Sequence, residues 1–423
     1  MLIDRRQLLA ASAAGFASLS LGNSAAQARD LPTANPKSQG FDAERLTRIG
    51  RAMQRRIDNA EAPGFLTAIM RHGKIVHFDV RGYRNIETKT PLTRDTVFRI
   101  MSMTKPIVSV AAMILVEENR LRLTDPVAKY IPSFAQQQVY VSGEGDNIVT
   151  APAKRRIQIR NLLMHTSGYT YGVFSSTPMD KLHFARKVYV PFYKTLAEFA
   201  DAAAAMPLMF EPGTNWQYGI STDILGRVIE VVTGQRLGEF ISERILSPLG
   251  MTQTGFTLTG DQEKRLITCY KPGPGGKGLA PTSDMFPGEY RDPTHPQSGG
   301  GGLVSTADDY LRFATMLLNG GELDGTRIIG PETVKIMRTN QLSEALTAQR
   351  DSGFGFGFGV DLRTGARGQY AGEGTFHWSG ANRTHFWVDP ANKIVGLSMT
   401  QMDPFDQNFE EDMRALTYQA FIG

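Results

Sequence analysis

Ser102 and Lys105 stand three residues apart where the local pattern of the chain changes. A short extended run, residues 96–100, precedes Ser102, and an apolar stretch with helical periodicity follows over residues 107–115. Residues three apart on a helix share a face, so the Lys105 amine can reach the Ser102 hydroxyl. The pair therefore predicts a serine nucleophile with a lysine base for acyl transfer. Taken alone, a capping serine and a solvated lysine explain the pair better.

Tyr218 lies on a predicted loop between a turn at residues 211–214 and a second apolar helix at residues 224–229. A tyrosine in such a place is usually an anchor with a buried ring and a wet hydroxyl. Beside a serine and a lysine, its phenol can take the serine proton and return it to the leaving group. The backbone N–H groups of the helix that Ser102 opens would stabilise the negative charge on the attacked carbonyl.

Residues 375–381 predict an edge-type strand that runs into a hairpin over residues 385–400. Gly380 would let a substrate lie close to the backbone, and the N–H group of Ala381 would serve as a second donor to the oxyanion. The alternative is an ordinary amphipathic strand with a packed tryptophan. The stretch thus adds a predicted substrate-binding wall to the serine, lysine and tyrosine.

Together these motifs resemble the serine β-lactamase and penicillin-binding-protein superfamily, most closely its class C-like esterase branch, the family VIII carboxylesterases. Further matching stretches are LLMHTSG at 162–168, FEPGT at 210–214, PLGM at 248–251 and GGGLVSTADD at 300–309. The resemblance spans nearly the whole chain after the first 28 residues. It implies an α+β fold, in which an antiparallel sheet flanked by terminal helices lies beside an all-helical lobe and the nucleophile is on the helix between them.

The resemblance also assigns roles by position. The nucleophile of the family falls on Ser102, its lysine on Lys105, its tyrosine on Tyr218, and its third motif on Trp378, Ser379 and Gly380. The β-lactamase pattern has Lys-Thr-Gly in the third motif and an asparagine two residues after the tyrosine, whereas this chain has Trp378 and Ile220. The lysine of that motif helps to hold a substrate carboxylate, so an indole replaces a cation with an apolar wall.

This replacement predicts a serine carboxylesterase for neutral, short-acyl substrates. Arg383 would restore a cation if it pointed into the cleft, which leaves open a class C-type β-lactamase or a D-amino-acid peptidase or amidase. A non-catalytic penicillin-binding-like protein is a further alternative, which the changed third motif favours and the intact serine, lysine and tyrosine oppose. The α/β-hydrolase class is excluded because the chain has no Gly-x-Ser-x-Gly motif.

The first 28 residues predict an export signal. Arg5 and Arg6 precede an alanine-rich apolar stretch, and Ala28 ends a small-residue motif typical of a cleavage site. We therefore expect a twin-arginine signal that is cleaved after Ala28, and a mature chain that is periplasmic or secreted. The apolar stretch, residues 8–21, is too short for a stable membrane span.

Residues 29–423 predict one catalytic domain, because the candidate site residues are spread across it. We place a sheet lobe at about residues 29–100 and 296–423 and a helical lobe at about 101–295. Residues 272–302 are rich in proline and glycine and are expected on the surface beside the cleft. The glycine and phenylalanine repeat at 353–359 predicts a strand with its phenylalanines on one face, not a phosphate loop.

The resemblance implies a small-molecule ester, amide or lactam as the partner. The formal net charge is +4 and no basic block is visible, which argues against nucleic acid. The seven histidines show no metal-ligand spacing, so we predict neither a metal nor a cofactor. His377 either is structural or touches the substrate or Tyr218, and the single Cys269 is expected to pack. The oligomeric state is open.

Overall fold

The computed structural model describes residues 30–173, 176–283, 289–348, 350, 352–365, 368 and 370–423. The predicted export signal, residues 1–28, lies outside the described residues. The helices are α1 (Ala43–Asp58), α2 (Thr104–Glu117), α3 (Ile159–Leu163), α4 (Pro178–Arg186), α5 (Leu196–Ala204), α6 (Ser221–Thr233), α7 (Leu237–Ile241), α8 (Gln262–Arg265), α9 (Ala307–Leu318), α10 (Pro331–Met337), α11 (Glu344–Ala348) and α12 (Gln407–Tyr418).

The strands fall into one large sheet and several short pairs. They are β1 (Gly64–Arg71), β2 (Lys74–Asn85), β3 (Thr90–Pro91), β4 (Phe98–Arg99), β5 (Gln138–Ser142), β6 (Val149–Pro152), β7 (Tyr270–Pro272), β8 (Leu279–Pro281), β9 (Val304–Ser305), β10 (Glu322–Leu323), β11 (Thr326–Arg327), β12 (Gly353–Phe354), β13 (Gly359–Val360), β14 (Phe376–Gly380), β15 (Thr384–Asp389) and β16 (Ile394–Met399). The large sheet has the order β12-β13-β14-β15-β16-β1-β2-β3, and its neighbouring strands are antiparallel.

The sheet is covered by helices on both faces, which explains why β1 is apolar along most of its length. Successive side chains of a strand point to opposite faces. Phe65 and Ile69 join the core formed with α1 and α12, whereas Leu66, Ala68 and Met70 join the larger core that continues into the helices on the other side. The antiparallel sheet with helices on its faces confirms the predicted α+β fold.

Helix α2 runs through the middle of the molecule. All its residues from Thr104 to Leu115 are buried, and it contacts α6 and α7. A helix that is apolar all round belongs in an interior. The 3-10 turn Met101–Met103, which leads into α2, contacts β14 and β15 of the large sheet, so α2 links the sheet to the helical region.

Two details differ from the sequence-based expectations. The region between residues 101 and 295 is mainly helical but also contains the strand pairs β5–β6 and β7–β8. The predicted single strand at 353–359 is wrong, because the segment forms a hairpin between β12 and β13. Gly357, with a φ of 94°, reverses the chain, and Gly355 N donates to Phe358 O at 2.9 Å. Among the described residues, no helix is long and apolar enough to cross a membrane.

Candidate active site

Ser102 and Lys105 meet at the start of α2. Ser102 lies in a short 3-10 turn, Met101–Met103, that leads into the helix, and Lys105 Nζ is 3.1 Å from Ser102 Oγ. The Lys105 side chain is buried, and Nζ also donates to Tyr171 OH at 3.1 Å and to the carbonyl oxygen of Gly300 at 2.6 Å. Three acceptors match the three N–H donors of an ammonium. If the amine is neutral, its lone pair can accept from the Ser102 hydroxyl while two N–H donors remain bonded.

The backbone just before the serine is held in an uncommon conformation. Met101 is a buried residue with a φ of 44°, a left-handed value that costs a non-glycine residue of order 1–3 kcal/mol. The carbonyl of Ile100 accepts a hydrogen bond from Thr384 Oγ1 at 3.2 Å. A Cβ on Gly380 would lie 2.4 Å from that same carbonyl oxygen. Gly380 therefore lets strand β14 lie against the turn before Ser102, whereas we had expected it to make room for substrate.

Tyr171 and Asp223 belong to the site, although the sequence analysis did not select them. Tyr171 OH is 3.4 Å from Asp223 Oδ2, and Asp223 Oδ1 accepts from Ser298 Oγ at 2.6 Å and from Gly300 N at 2.9 Å. Burial raises the pKa of Asp223, and Lys105 acts in the opposite direction. Burial raises the pKa of Tyr171 well above its usual range, and Asp223 adds to the effect. Tyr171 is therefore a neutral phenol that connects the lysine to a buried carboxyl group.

The sequence carried only weak signals for these two residues. Tyr171 lies three residues after the LLMHTSG stretch. Aromatic residues near such a stretch are also common in ordinary protein cores, so the position of Tyr171 did not indicate a functional role. Asp223 lies in the first turn of α6, where an acidic residue is explained by the helix dipole alone. Its distance of five residues from Tyr218 is the one pattern that would have placed it near the site.

Tyr218 presents the face of its ring to the lysine. Lys105 Nζ lies 4.6 Å from the ring centre, within the range of a cation–π contact. The ring also packs on Trp378, with centroids 5.4 Å apart, and stacks on Trp216 at 6.3 Å. The structure thus brings Ser102, Lys105 and Tyr218 together.

His165, from the LLMHTSG stretch, packs behind Tyr218. It is fully buried with a φ of 56°, and its ring centre lies 4.8 Å from that of Tyr218 and 5.6 Å from that of Phe354. Within the described part of the chain, His165 Nδ1 has no hydrogen-bond partner. Burial lowers the pKa of His165 well below its usual range, and Lys105 acts in the same direction. The imidazole is therefore neutral and packs as an aromatic ring.

Strand β14 carries the third motif on a partly open edge. It pairs with β15 along its length but with β13 only at Phe376 and His377, so the segment from Trp378 onward has a neighbour on one side. The ring of Trp378 packs on Phe354, with centroids 5.2 Å apart. Ala381 follows in the turn and is half-buried. The prediction of an edge strand therefore holds only for the second half of β14, from Trp378 onward, where β13 does not pair with it.

Ser379 and His377 point to the other face of the sheet. Ser379 Oγ hydrogen-bonds His385 Nδ1 at 2.9 Å, and His377 Nε2 is 3.5 Å from Asp361 Oδ1, which belongs to a buried ion pair with Arg414 of α12. The Ser379 side chain therefore does not line the cleft with Trp378. His377 has the structural role, since its side chain lies beside Asp361 on the face of the sheet opposite Trp378.

Arg383 does not supply a cation to the cleft. Its Nε donates to Pro404 O at 2.8 Å and its Nη1 donates to Glu61 O at 3.1 Å, while Asp406 lies 3.9 Å away. These partners hold the guanidinium at the end of the sheet. The alternative in which Arg383 replaces the lysine of Lys-Thr-Gly is therefore wrong.

No metal site is visible in the ranges that the structure describes, since no group of three or more His, Cys, Asp or Glu side chains is suitably placed. Cys269 is buried, and its Sγ accepts from Asn382 Nδ2 at 3.2 Å, in keeping with a packing role. The proline- and glycine-rich segment contributes Ser298 and Gly300 to the site, so its described end borders the cleft as expected.

Comparisons with known proteins agree with this geometry. The family model described as Beta-lactamase matches residues 49–420, a range that contains every site residue named above. Protein Rv1367c of Mycobacterium tuberculosis is 36% identical over 357 residues, which cover 81% of this chain and 86% of that protein. Esterase EstB of Burkholderia gladioli is 29% identical over 390 residues, covering 86% and 92%. The solved structure of EstCE1, a hydrolase with promiscuous acyltransferase activity, matches with a TM-score of 0.76 and 27% identity, covering 89% of this chain and 99% of that one.

Proposed function

Because the chain belongs to the β-lactamase family and has esterases among its relatives, we propose that it is a serine hydrolase that cleaves carboxylic esters through an acyl-enzyme on Ser102. The observation that carries this proposal is the 3.1 Å contact between the buried Lys105 amine and the Ser102 hydroxyl. A nucleophile next to a positioned base is the arrangement that covalent catalysis requires.

In the proposed acylation, Ser102 Oγ forms a bond to the ester carbonyl carbon. The Ser102 proton passes at the same time to the basic group formed by Lys105 and Tyr218. The carbonyl oxygen becomes an oxyanion, which the backbone N–H groups of Ser102 and Ala381 would stabilise. The carbon–oxygen bond to the alcohol then breaks, and the proton moves to the leaving oxygen. Tyr218 is proposed for this last transfer, because its ring lies over the lysine and beside the Trp378 wall.

Deacylation repeats these steps with water in place of the serine. Water loses a proton to the same basic group and adds to the acyl carbon, and the second oxyanion collapses as the bond to Ser102 Oγ breaks. The proton returns to Oγ, so the products are a carboxylic acid and the free serine. Tyr171 keeps Lys105 in place throughout, because its hydroxyl bridges the amine and the buried Asp223.

The proposed substrates are neutral esters with short acyl groups. The ring of Trp378 packs on Tyr218 and on Phe354, with centroids 5.4 Å and 5.2 Å apart, and this apolar surface would close one side of the cleft. Arg350 lies nearby, but its guanidinium is stacked on Trp216, with Cζ 3.8 Å from the ring centre. A β-lactamase, peptidase or amidase of this family would need a cation for the substrate carboxylate, and the indole of Trp378 does not provide one.

A fluorophosphonate followed by intact-mass spectrometry tests the proposal. The native protein should gain a single adduct, and Ser102→Ala should gain none and lose ester hydrolysis. Ser379→Ala is the matched control, since that hydroxyl bonds His385 on the other face of the sheet and should leave labelling unchanged. An adduct on Ser102→Ala, or full hydrolysis by it, would falsify the acyl-enzyme and favour the non-catalytic alternative.

A further inference from the structure

A cavity of about 580 Å³ lies outside the catalytic centre, between the segment that leads into α3 and residues 341–346. We call it the arginine cavity, because Arg155, Arg156 and Arg160 line it. Neutral polar side chains complete much of its wall, among them Gln341 and Ser343. The residues that line the arginine cavity include no Asp or Glu and none of the serine, lysine or tyrosines of the site.

The backbone fixes the direction of the arginines. Ile157 and Ile159 are buried, whereas Arg155, Arg156 and Arg160 are exposed, so the apolar positions anchor the segment and the charged ones point outward. The carbonyl of Ile157 accepts a hydrogen bond from Val127 N at 2.8 Å, which holds this segment against its neighbour. The arginines are therefore presented from a rigid support.

The three guanidinium groups have no ion pair with a described carboxylate. Arg160 Nε donates to the side-chain oxygen of Gln158 at 2.7 Å, which is a neutral partner. Glu211 lies near the start of the segment, but its carboxylate accepts from the backbone N–H groups of Lys154 and Arg155 at 3.0–3.1 Å. Three positive groups thus share one concave site without a negative partner among the described residues.

We infer that the arginine cavity binds an organic anion through a phosphate or carboxylate group. The planar guanidinium forms paired hydrogen bonds with such oxyanions, and a cluster of like charges is stabilised when a negative group enters it. A volume of about 580 Å³ lies within the range of small-molecule sites, so the cavity has room for an organic anion.

The arginine cavity is separated from the catalytic centre by one layer of residues. Met164 and Thr166 line the cavity, and His165 between them turns its ring toward Tyr218 on the other side. The anionic group therefore belongs either to a separate ligand or to a part of the substrate remote from the neutral ester group that Trp378 would contact. Both sources use the same chemistry, and kinetics distinguishes them.

Isothermal titration calorimetry with inorganic phosphate and with citrate, at constant ionic strength, tests the inference. Citrate should bind more tightly than phosphate, because it can engage more than one guanidinium. The double variant Arg156→Gln/Arg160→Gln should weaken binding by about 10- to 150-fold for each charged hydrogen bond lost. The matched control Arg51→Gln/Arg55→Gln removes the same charge from the exposed face of α1 and should bind like the native protein.

Absence of saturable binding to the native protein, or an equal loss in the two double variants, would overturn the inference. If citrate binds and also raises KM for a neutral ester competitively, the group belongs to the substrate. If citrate binds while KM and kcat stay constant, the cavity serves a separate ligand. The binding measurement does not use catalysis, so it can fail or succeed independently of the proposed esterase activity.

Discussion

The Lys105 amine donates a 3.1 Å hydrogen bond to the hydroxyl of Tyr171, a residue outside the motifs that predicted the site. The contact of the same amine with Tyr218 is with the ring face. The two tyrosines therefore contact the lysine differently, Tyr171 through its hydroxyl group and Tyr218 through the face of its ring. We infer that Tyr171 positions the lysine and that Tyr218 serves proton transfer.

Removing the hydroxyl group of Tyr218 or that of Tyr171 should lower turnover. Tyr218→Phe and Lys105→Ala should each lose on the order of 10² to 10⁴ in kcat for an aryl ester, the range for a positioned acid–base group. Tyr171→Phe should also lower kcat, and its effect should be non-additive with that of Asp223→Asn, because the two side chains act on Lys105 through one hydrogen-bond chain. Steady-state kinetics of the single variants and the Tyr171/Asp223 pair measures this.

Tyr130→Phe is the control for these variants, since Tyr130 OH bonds Asp125 at 2.6 Å away from the site. It should leave kcat unchanged. Full turnover in Tyr218→Phe would remove that residue from the mechanism and leave Lys105 as the proton-transfer group. Strict additivity of the Tyr171 and Asp223 effects would show that the chain does not act as a unit.

Trp378 should determine the preference for neutral substrates. The native protein is expected to hydrolyse a short-chain aryl ester with a higher kcat/KM than a chromogenic cephalosporin. Trp378→Lys should shift the ratio of the two kcat/KM values toward the cephalosporin by about 10- to 150-fold. The reason is that a charged hydrogen bond to a carboxylate contributes roughly 1.5–3 kcal/mol. A Trp378→Phe variant, which keeps an apolar ring, should shift it little. A native preference for the cephalosporin would replace the esterase proposal with a β-lactamase.

Asp309 should make stability fall as the pH rises. Burial raises its pKa to about 6, although Thr254 Oγ1 and Gln253 N each donate to its Oδ2 at 2.8 Å. Since the folded pKa lies above the unfolded value of 3.8, the contribution of this group is fully present below pH 3.8 and is lost as the pH rises through 6. The difference corresponds to about 3 kcal/mol.

Asp309→Asn should remove this loss, because an amide oxygen can accept both hydrogen bonds without a charge. Urea unfolding at pH 4.5 and pH 7.5 should show the variant gaining stability relative to the native protein between the two values. Asp58→Asn, which removes an exposed carboxylate bonded to Gln54 at the end of α1, is the control and should not show this gain. A relative loss for Asp309→Asn at the higher pH would contradict the assignment.

The first residues are expected to direct export. A reporter fused after Arg29 should reach the periplasm, and replacing Arg5 and Arg6 with lysine should retain it in the cytoplasm even though the charge is conserved. Fractionation followed by immunoblotting measures this. Unchanged export of the lysine variant would exclude the twin-arginine pathway.

Local patterns predicted the parts of the site that depend on local geometry. The three-residue spacing of Ser102 and Lys105 on a helix start fixed their 3.1 Å contact, and the apolar stretch around Ile224 became helix α6 after Tyr218. Period and spacing determine such features directly. The same reasoning placed the hairpin of β15 and β16.

Features that depend on distant partners were not accessible in the same way. Asp223 acquires its role from Tyr171 and Gly300, which are far away in the chain, and nothing local distinguishes it from a helix-start carboxylate. Arg383 follows Gly380 closely, but its backbone, with a φ of 64°, sends the side chain to Glu61 instead of the cleft. Alternating phenylalanines at 353–359 fit a strand, and only a reversal at Gly357 makes them a hairpin.

The central pairing of the sheet joins the two ends of the described chain: Leu66 of β1 lies opposite Met399 of β16, and Ile422 N donates to the carbonyl of Gly40 at 2.8 Å. During translation, β1 leaves the ribosome more than three hundred residues before its partner β16, although its other partner, β2, follows at once. Contacts of such long sequence separation form late and slowly. The turn before Ser102 likewise gains its support from Gly380 only when the last strands have emerged. A nascent chain therefore carries the proposed nucleophile long before the candidate site is assembled, and the proposed hydrolytic activity should appear only after synthesis is complete.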